Sequence, residues 1–307
     1  MSSELINIFT ELLHIAEILG SDIKAAAYRN VINVLSATNV TRENVKTLKI
    51  GKSSRDKIIE YFNTGRVIEL ETLRNSRQVR AHRELGKIAG VGPATVEKWL
   101  ALGVDNIPKL RRAIAKHTIT LNHMQQIGLL YYVDLNARIP RAEVTQIGQS
   151  IYNILRFLDP QIEFTIAGSY RRGRADSGDV DIIVSNKSHF DDELLPSFIS
   201  IMVDDPNFVD VMSAGQERIT FLYRVNKIRQ IDILNIPYGS YFAALNYFTG
   251  GFEHNKWLRG IAKQKGYRLN QNGLYKQGAK LTLCNVTSER EIYDILGVAY
   301  IEPNDRK

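Results

Sequence analysis

Residues 168–181 read GSYRRGRADSGDVD, and residues 228–235 read IRQIDILN. On an extended strand side chains alternate with period two, so Asp179 and Asp181 project from one face while Val180 turns the other way. The run VDIIV supplies the β-branched residues of a buried strand, which makes the acids its polar end and not its core. Asp232, set between Ile231 and Ile233, offers a third carboxylate on a second strand. Acids gathered at one strand edge call for a cation, and the pattern points to phosphate chemistry with metal ions. The plain alternative for the same residues is a solvated strand end.

The chain of 307 residues is long enough for two or more domains. Its 40 Lys+Arg against 33 Asp+Glu give a net charge of +7. That excess is local. Residues 73–142 hold twelve basic and four acidic side chains, whereas residues 1–72 hold nine of each and residues 143–307 hold nineteen and twenty. A basic surplus so confined suits a surface that follows a phosphate backbone, with an ordinary solvated face as the alternative. Cys284 is the only cysteine, which excludes an intramolecular disulfide, a zinc ribbon and an iron–sulfur cluster and points to an intracellular protein. No apolar run is long enough for a membrane span, and the six histidines lack ligand spacing.

The first 140 residues read as helices. Leu5, Ile8, Leu12, Ile15, Ile18 and Leu19 recur at helical spacing and Gly20 ends the run. A second helix starts at Asp22 and carries Lys24 and Tyr28 on one face. A third, RDKIIEYFNTGRV, contains Lys57 and stops at Gly65. The stretch IAGVGPATVEKWL, residues 88–100, resembles a helix–hairpin–helix, in which a Gly-x-Gly turn aims backbone N–H groups at a nucleic-acid phosphate. Gly90 and Gly92 would permit the close approach, and Pro93 suits the first turn of the next helix. A weaker echo at residues 48–58 keeps only Gly51.

After Pro140 the pattern changes to one helix over 141–158, then strands FTIAG, VDIIV, ERITFLYRV and QIDILNI, with a helix near 191–202. The tail adds a helix, a strand pair around Asn272-Gly273 and a last helix at SEREIYDILG. The fold class is therefore α+β: a helical first part and a mixed sheet followed by a small α/β subdomain.

The order and spacing of IAGVGP, IPR at 139–141, GSYRRG with GDVD, IDI, YFTG at 247–250 and YIEP at 300–303 resemble the family X DNA polymerases, in the minimal lyase-plus-polymerase form of the beta/lambda type. The resemblance implies four parts: a lyase-like domain at 1–72, a helix–hairpin–helix subdomain at 73–142, a nucleotidyltransferase palm at 143–238, and a nucleotide- and template-binding subdomain at 239–307. It implies that Asp179, Asp181 and Asp232 bind two Mg2+ ions, with Mn2+ as a substitute. Ser169, Arg172 and Gly178, with Arg141 nearby, would hold the triphosphate, while Arg171 and Arg174 stay open between that role and plain surface. Tyr247, Phe248 and Gly250 would lie under the sugar, Asn255 would contact the incoming base, and Lys256 and Arg259 would meet the template.

In the N-terminal part the resemblance makes Lys57 the Schiff-base nucleophile of a 5′-deoxyribose-phosphate lyase, with Arg55 and Lys52 as cations that lower its pKa. Lys24 and Tyr28, helped by Lys46 and Lys52, would hold the 5′-phosphate. Two departures from the pattern stand out. Gln230 replaces a second arginine before IDI, so the cation beside Asp232 is expected to be missing, and Phe252 follows Gly251 where the family often has an aspartate or alanine.

The implied function is template-directed gap filling in base-excision or end-joining repair, by a monomer acting on gapped or nicked DNA and dNTP. It would be intracellular, and nuclear in a eukaryotic cell. The alternatives are a template-independent terminal transferase, which usually has Gly-Trp in place of YFTG, and a noncatalytic scaffold that binds DNA gaps.

Overall fold

In the computed structural model, which describes residues 2–306, the helical periodicity up to residue 130 folds as eight α-helices among the described residues. They are α1 (Ser2–Ile18), α2 (Asp22–Ala37), α3 (Lys52–Thr64), α4 (Ile68–Asn75), α5 (Arg77–Leu85), α6 (Pro93–Ala101), α7 (Ile107–Ala115) and α8 (His123–Leu130). Together they form the first of two compact units, residues 1–130 and 131–307. Leu5, Phe9, Leu12 and Ile15 of α1 pack with Tyr28, Val31 and Leu35 of α2, Ile58 of α3 and Leu70 of α4. Truncating a fully buried member such as Phe9 to Ala costs about 3–5 kcal/mol.

Helix ends follow the punctuation of the sequence. Gly65 caps α3 in the left-handed region at φ 73°, its N–H bonded to the Tyr61 carbonyl, and Pro93 opens α6 at its first turn. Between α5 and α6 the chain turns through Gly90 at φ 74°, where an added Cβ would also meet Met124 Cγ at 3.0 Å. Gly92 differs. It is extended at φ −94° with open space around it, so nothing inside the chain requires a glycine there.

The second unit contains α9 (Tyr132–Leu135), β1 (Ile139–Pro140), α10 (Arg141–Leu158), β2 (Glu163–Ile166), α11 (Gly168–Arg171), β3 (Asp176–Ser177), β4 (Val180–Ser185), α12 (Leu194–Met202), β5 (Phe208–Ala214), β6 (Arg218–Arg224) and β7 (Ile228–Asn235). It continues with α13 (Tyr241–Thr249), α14 (Phe252–Gln264), β8 (Tyr267–Asn270), β9 (Gly273–Lys276), β10 (Thr282–Leu283) and α15 (Glu289–Ile295). The α+β class is observed. Five strands form one sheet in the order β2-β4-β7-β6-β5, with β4 and β7 parallel and the other neighbours antiparallel. Val180, Ile182 and Val184 of β4 and Ile231 and Ile233 of β7 pack against Val144, Ile147 and Ile151 of α10 and Phe198 of α12.

Strand β5 is absent from the sequence reading. Its ladder to β6 is interrupted by register shifts at Phe208/Asp210 and Val211/Ser213, which break the period-two alternation by which a strand is recognised. The C-terminal strand pair is β8 and β9, with Asn270 opposite Gly273, and β10 adds a third strand.

Candidate active site

Parallel pairing of β4 and β7 sets Asp181 directly beside Asp232. Asp179 lies just before β4, and one carboxylate oxygen from each of the three acids comes within 4.8 Å of the others. Asp232 is buried, Asp181 half-buried and Asp179 exposed, so the group lies at the mouth of the sheet. Gly168, at φ 54°, is the close neighbour of Asp181: a Cβ at that position would collide with its Oδ2. Burial, with the charges of Asp179 and Asp232, pushes the Asp181 carboxyl up to about 7 against the opposing pull of Arg218 and Arg172. The Asp179 carboxyl is raised as well, by desolvation and by Asp232. Two raised carboxyls beside a third acid are a site that a divalent cation would relieve.

The expected gap beside Asp232 is not present. Arg218 on β6 donates to Asp232 Oδ1 at 2.6 and 3.2 Å, Thr220 donates to the same oxygen at 2.6 Å, and Gln230 donates to Oδ2 at 2.8 Å. Strand alternation explains the exchange. Gln230 shares the face of Asp232, whereas Arg229 points to the other side and is buried in an ion pair with Glu143 at 2.7 Å. Arg218, Thr220 and Glu143 are therefore residues that the motif reading missed. Thr220 pairs directly with Asp232 and Arg218 lies two residues away on the same face, a relation visible only once the β6–β7 register is known.

The segment from α11 to β3 carries further donors, of which Arg172 lies close enough to Asp181 and Asp179 to feel their charges. Ser169 Oγ donates to Ser177 Oγ at 2.9 Å. Arg172 donates to the carbonyl of Thr249, and its guanidinium comes within 3.2 Å of where a Cβ on Gly250 would be. Burial and then Arg174 lower the Arg172 pKa, while Asp181 and Asp179 oppose the shift. Arg141 donates to the Tyr170 carbonyl at 2.6 Å and lies over the Tyr170 ring at 3.9 Å. Gly178 faces Arg138, which pairs with Asp176 at 2.7 Å. Arg171 is not plain surface: it donates to Thr249 Oγ1 at 2.7 Å and pairs with Glu289 at 2.5 Å.

The YFTG segment ends α13. Tyr247 and Phe248 are half-buried, with their rings edge to face at 5.1 Å, and Asn255 on α14 donates to the Tyr247 carbonyl at 2.7 Å. Arg259 donates to the Asn255 carbonyl at 3.2 Å with its guanidinium 5.9 Å from the Tyr247 ring. Lys256 is exposed beside Glu253 at 3.8 Å, and Phe252 is 73% exposed.

A second cluster occupies the helices of the first unit. Lys24 and Tyr28 of α2 and Lys57 of α3 converge on Glu69 of α4: Lys24 Nζ at 3.0 Å, Tyr28 hydroxyl at 3.5 Å and Lys57 Nζ at 2.7 Å. Lys57 is buried and also donates to Ser53 Oγ at 2.8 Å. The charged partner of this amine is thus an acid and not Arg55, whose guanidinium turns to the carbonyls of Leu48 and Ile50. Lys46 and Lys52 are exposed and, among the described residues, form no hydrogen bond or ion pair with the cluster. Glu69 was missed because one glutamate on a helix carries no signal in the chain. Burial raises its carboxyl, but hydrogen bonds from Lys57 and Lys24 outweigh that and hold it below the usual range. Tyr28 is pushed up to about 12 by burial and by Glu69, so its hydroxyl stays a donor.

Comparison with known proteins agrees with this geometry. Residues 138–238 match the DNA polymerase beta palm, residues 244–307 the DNA polymerase beta thumb, and residues 83–136 the fingers domain of DNA polymerase lambda. The chain is 31% identical to DNA polymerase lambda of Arabidopsis thaliana over its whole length, and 27% identical to DNA polymerase lambda of Rattus norvegicus over 94% of it. It is 26% identical to DNA nucleotidylexotransferase of Gallus gallus over 84%. It spans 62%, 53% and 57% of those three proteins. With fingers, palm and thumb matched in that order along the chain and the three acids gathered at the sheet, the chain belongs to the family X DNA polymerases.

Proposed function

We propose that the chain is a template-directed, gap-filling DNA polymerase of DNA repair, adding deoxynucleotides to a primer 3′-hydroxyl. The observation that carries this reading is the convergence of Asp179, Asp181 and Asp232 within 4.8 Å beside the donors of residues 168–178. The donor set is oxygen only and its acids repel one another, which fits two magnesium ions, or manganese in their place. Bound there, such ions would lower the pKa of the attacking hydroxyl and offset the charge of the triphosphate.

The remaining work falls to the chain's own groups. Ser169, Arg172, Gly178 and Arg141 hold the triphosphate; Arg218, Thr220 and Gln230 orient the Asp232 carboxylate. Tyr247, Phe248 and Gly250 lie under the sugar, Asn255 meets the base, and Lys256 and Arg259 meet the template. Gly90 and Gly92 bring backbone N–H groups to the DNA phosphates. Residues 1–72, 73–142, 143–238 and 239–307 serve as lyase, DNA-gripping, palm and nucleotide-binding parts of a monomer. In the first of these Lys57 forms a Schiff base with a 5′-terminal abasic sugar, and Lys24 and Tyr28, with Lys46 and Lys52, hold its 5′-phosphate. Among the described residues no helix is long and apolar enough to cross a membrane. A chain that works on DNA acts inside the cell, in the nucleus of a eukaryote.

Single-nucleotide incorporation on a one-nucleotide gap tests the polymerase reading. Asp179→Ala and Asp232→Ala each abolish incorporation if the triad is catalytic. Unchanged incorporation in Asp232→Ala would restore the scaffold reading, and extension of a primer without template would restore the terminal-transferase one.

A further inference from the structure

We infer that Glu69 is the general base of the elimination step at the N-terminal site, an inference that rests on the lyase reading of Lys57. The carboxylate receives Lys24, Tyr28 and Lys57 from two other helices, and its Oε2 is 2.7 Å from the Lys57 amine. Among the groups that touch this amine, Glu69 is the one with a negative charge to accept a proton. Ser53 is a neutral hydroxyl and Tyr28 stays protonated. The Lys57 side chain is 9% exposed and that of Glu69 33%, so the carboxylate is the more open of the pair to an arriving sugar.

The geometry allows one carboxylate to serve both proton transfers. Lys57 first gives an ammonium proton to Glu69, and its freed lone pair bonds to C1′ of the sugar aldehyde. The C1′ oxygen then departs as water, taking a second nitrogen proton and the proton held by Glu69, which leaves an iminium and an ionised carboxylate. C2′ is the atom next to the one bonded to Nζ, so its hydrogens come within roughly 3 Å of the carboxylate, the reach a general base needs. Glu69 takes a C2′ proton, the C2′–H electron pair becomes the C2′=C3′ bond, and the C3′–O pair leaves on the 5′-phosphate of the downstream strand. Water hydrolyses the remaining iminium and returns the amine. Lys24 and Tyr28, once turned to a sugar 5′-phosphate, stop donating to Glu69, and burial then raises its basicity with less opposition.

The test uses the full chain and a labelled nicked duplex with a 5′-terminal abasic sugar phosphate, scored for borohydride-trapped adduct and for single-turnover elimination. Glu69→Gln is expected still to trap the DNA, because water can carry the nitrogen and oxygen protons of iminium formation, yet to slow removal of the carbon-bound C2′ proton, and with it elimination, by at least about 100-fold, the usual share of a general base. Glu69→Asp, which keeps a carboxylate, recovers part of the rate. Elimination at the wild-type rate in Glu69→Gln overturns the assignment. So does parallel loss of trapping and elimination in both variants, because Glu69 would then only position Lys57. Undiminished trapping in Lys57→Ala is a separate outcome: it removes the lyase reading itself, and the role of Glu69 with it.

Discussion

Arg218 donates twice to one oxygen of Asp232, at 2.6 and 3.2 Å, from a position on β6 two residues from the one that pairs with the acid. It thereby occupies the electrostatic place that Gln230 leaves without charge. The guanidinium also lies close enough to Asp181 and Asp179 to oppose the rise of both carboxyls.

Arg218→Ala is expected to lower single-turnover incorporation on a gapped duplex about tenfold, equivalent to roughly 1.4 kcal/mol of transition-state stabilisation. The melting temperature should change little, since the Arg218 side chain is 56% exposed and solvent screens the pair to about 1 kcal/mol or less. Arg218→Lys recovers part of the rate through its charge but not the paired contacts. Wild-type incorporation in Arg218→Ala would remove this arginine from the site.

Arg229 predicts the opposite split. It is buried against Glu143, with bonds of 2.7 and 3.0 Å, and faces away from Asp232. Arg229→Ala leaves Glu143 charged and unpaired in the interior, which costs about 3–5 kcal/mol of stability. Measured well below its lowered melting temperature, the variant should incorporate nucleotide near the normal rate. A selective loss of rate with unchanged unfolding would contradict the structure.

For Asp181 the sign of the pH dependence follows from a carboxyl raised to about 7 in the folded protein. A folded-state pKa above the unfolded one stabilises most at low pH, and that contribution is lost as pH rises through 7. In chelator, thermal stability should therefore fall from about pH 5 to pH 8, and Asp181→Asn should flatten the fall. Magnesium, which favours the ionised acids, should raise the melting temperature more at pH 8 than at pH 5. Calorimetry that shows no pH dependence of the magnesium effect would count against the triad as its site.

Gly90 and Gly92 should separate fold from binding. Gly90→Ala forces a side chain into the left-handed region against Met124 and costs about 1–2 kcal/mol of stability. Gly92→Ala meets open space and leaves stability unchanged. If its N–H lies against a DNA phosphate, the variant weakens binding to a gapped duplex by about tenfold, or 1.4 kcal/mol. Equal affinities for Gly92→Ala and wild type would leave this turn without a role in binding.

Much of the fold was legible because it depends on local periodicity. The α1 stripe, the helix over 141–158, the stop at Gly65 and the strands that carry Asp181 and Asp232 each follow from a few adjacent residues. Strand β5 was not legible, because its register shifts erase the alternation. The candidate site was legible only in part. Asp179 and Asp181 announce themselves as acids at the start of a strand and Asp232 as an acid between two isoleucines, whereas Arg218 is one more polar residue at the start of a strand, and Glu69 one more helical glutamate.

By itself the sequence determined the order of helical and sheet segments, the shared face of Asp179 and Asp181, and the residues that carry the family resemblance. The tertiary structure alone decided that Arg218 rather than Arg229 meets Asp232, that Arg171 is tied to Glu289, and that Lys57 shares an acid with Lys24 and Tyr28. The physical reason is range. Side-chain direction within an element is set by backbone geometry over a few residues. The partner across an element is set by strand register and helix packing, which depend on burying apolar surface from segments far apart in the chain.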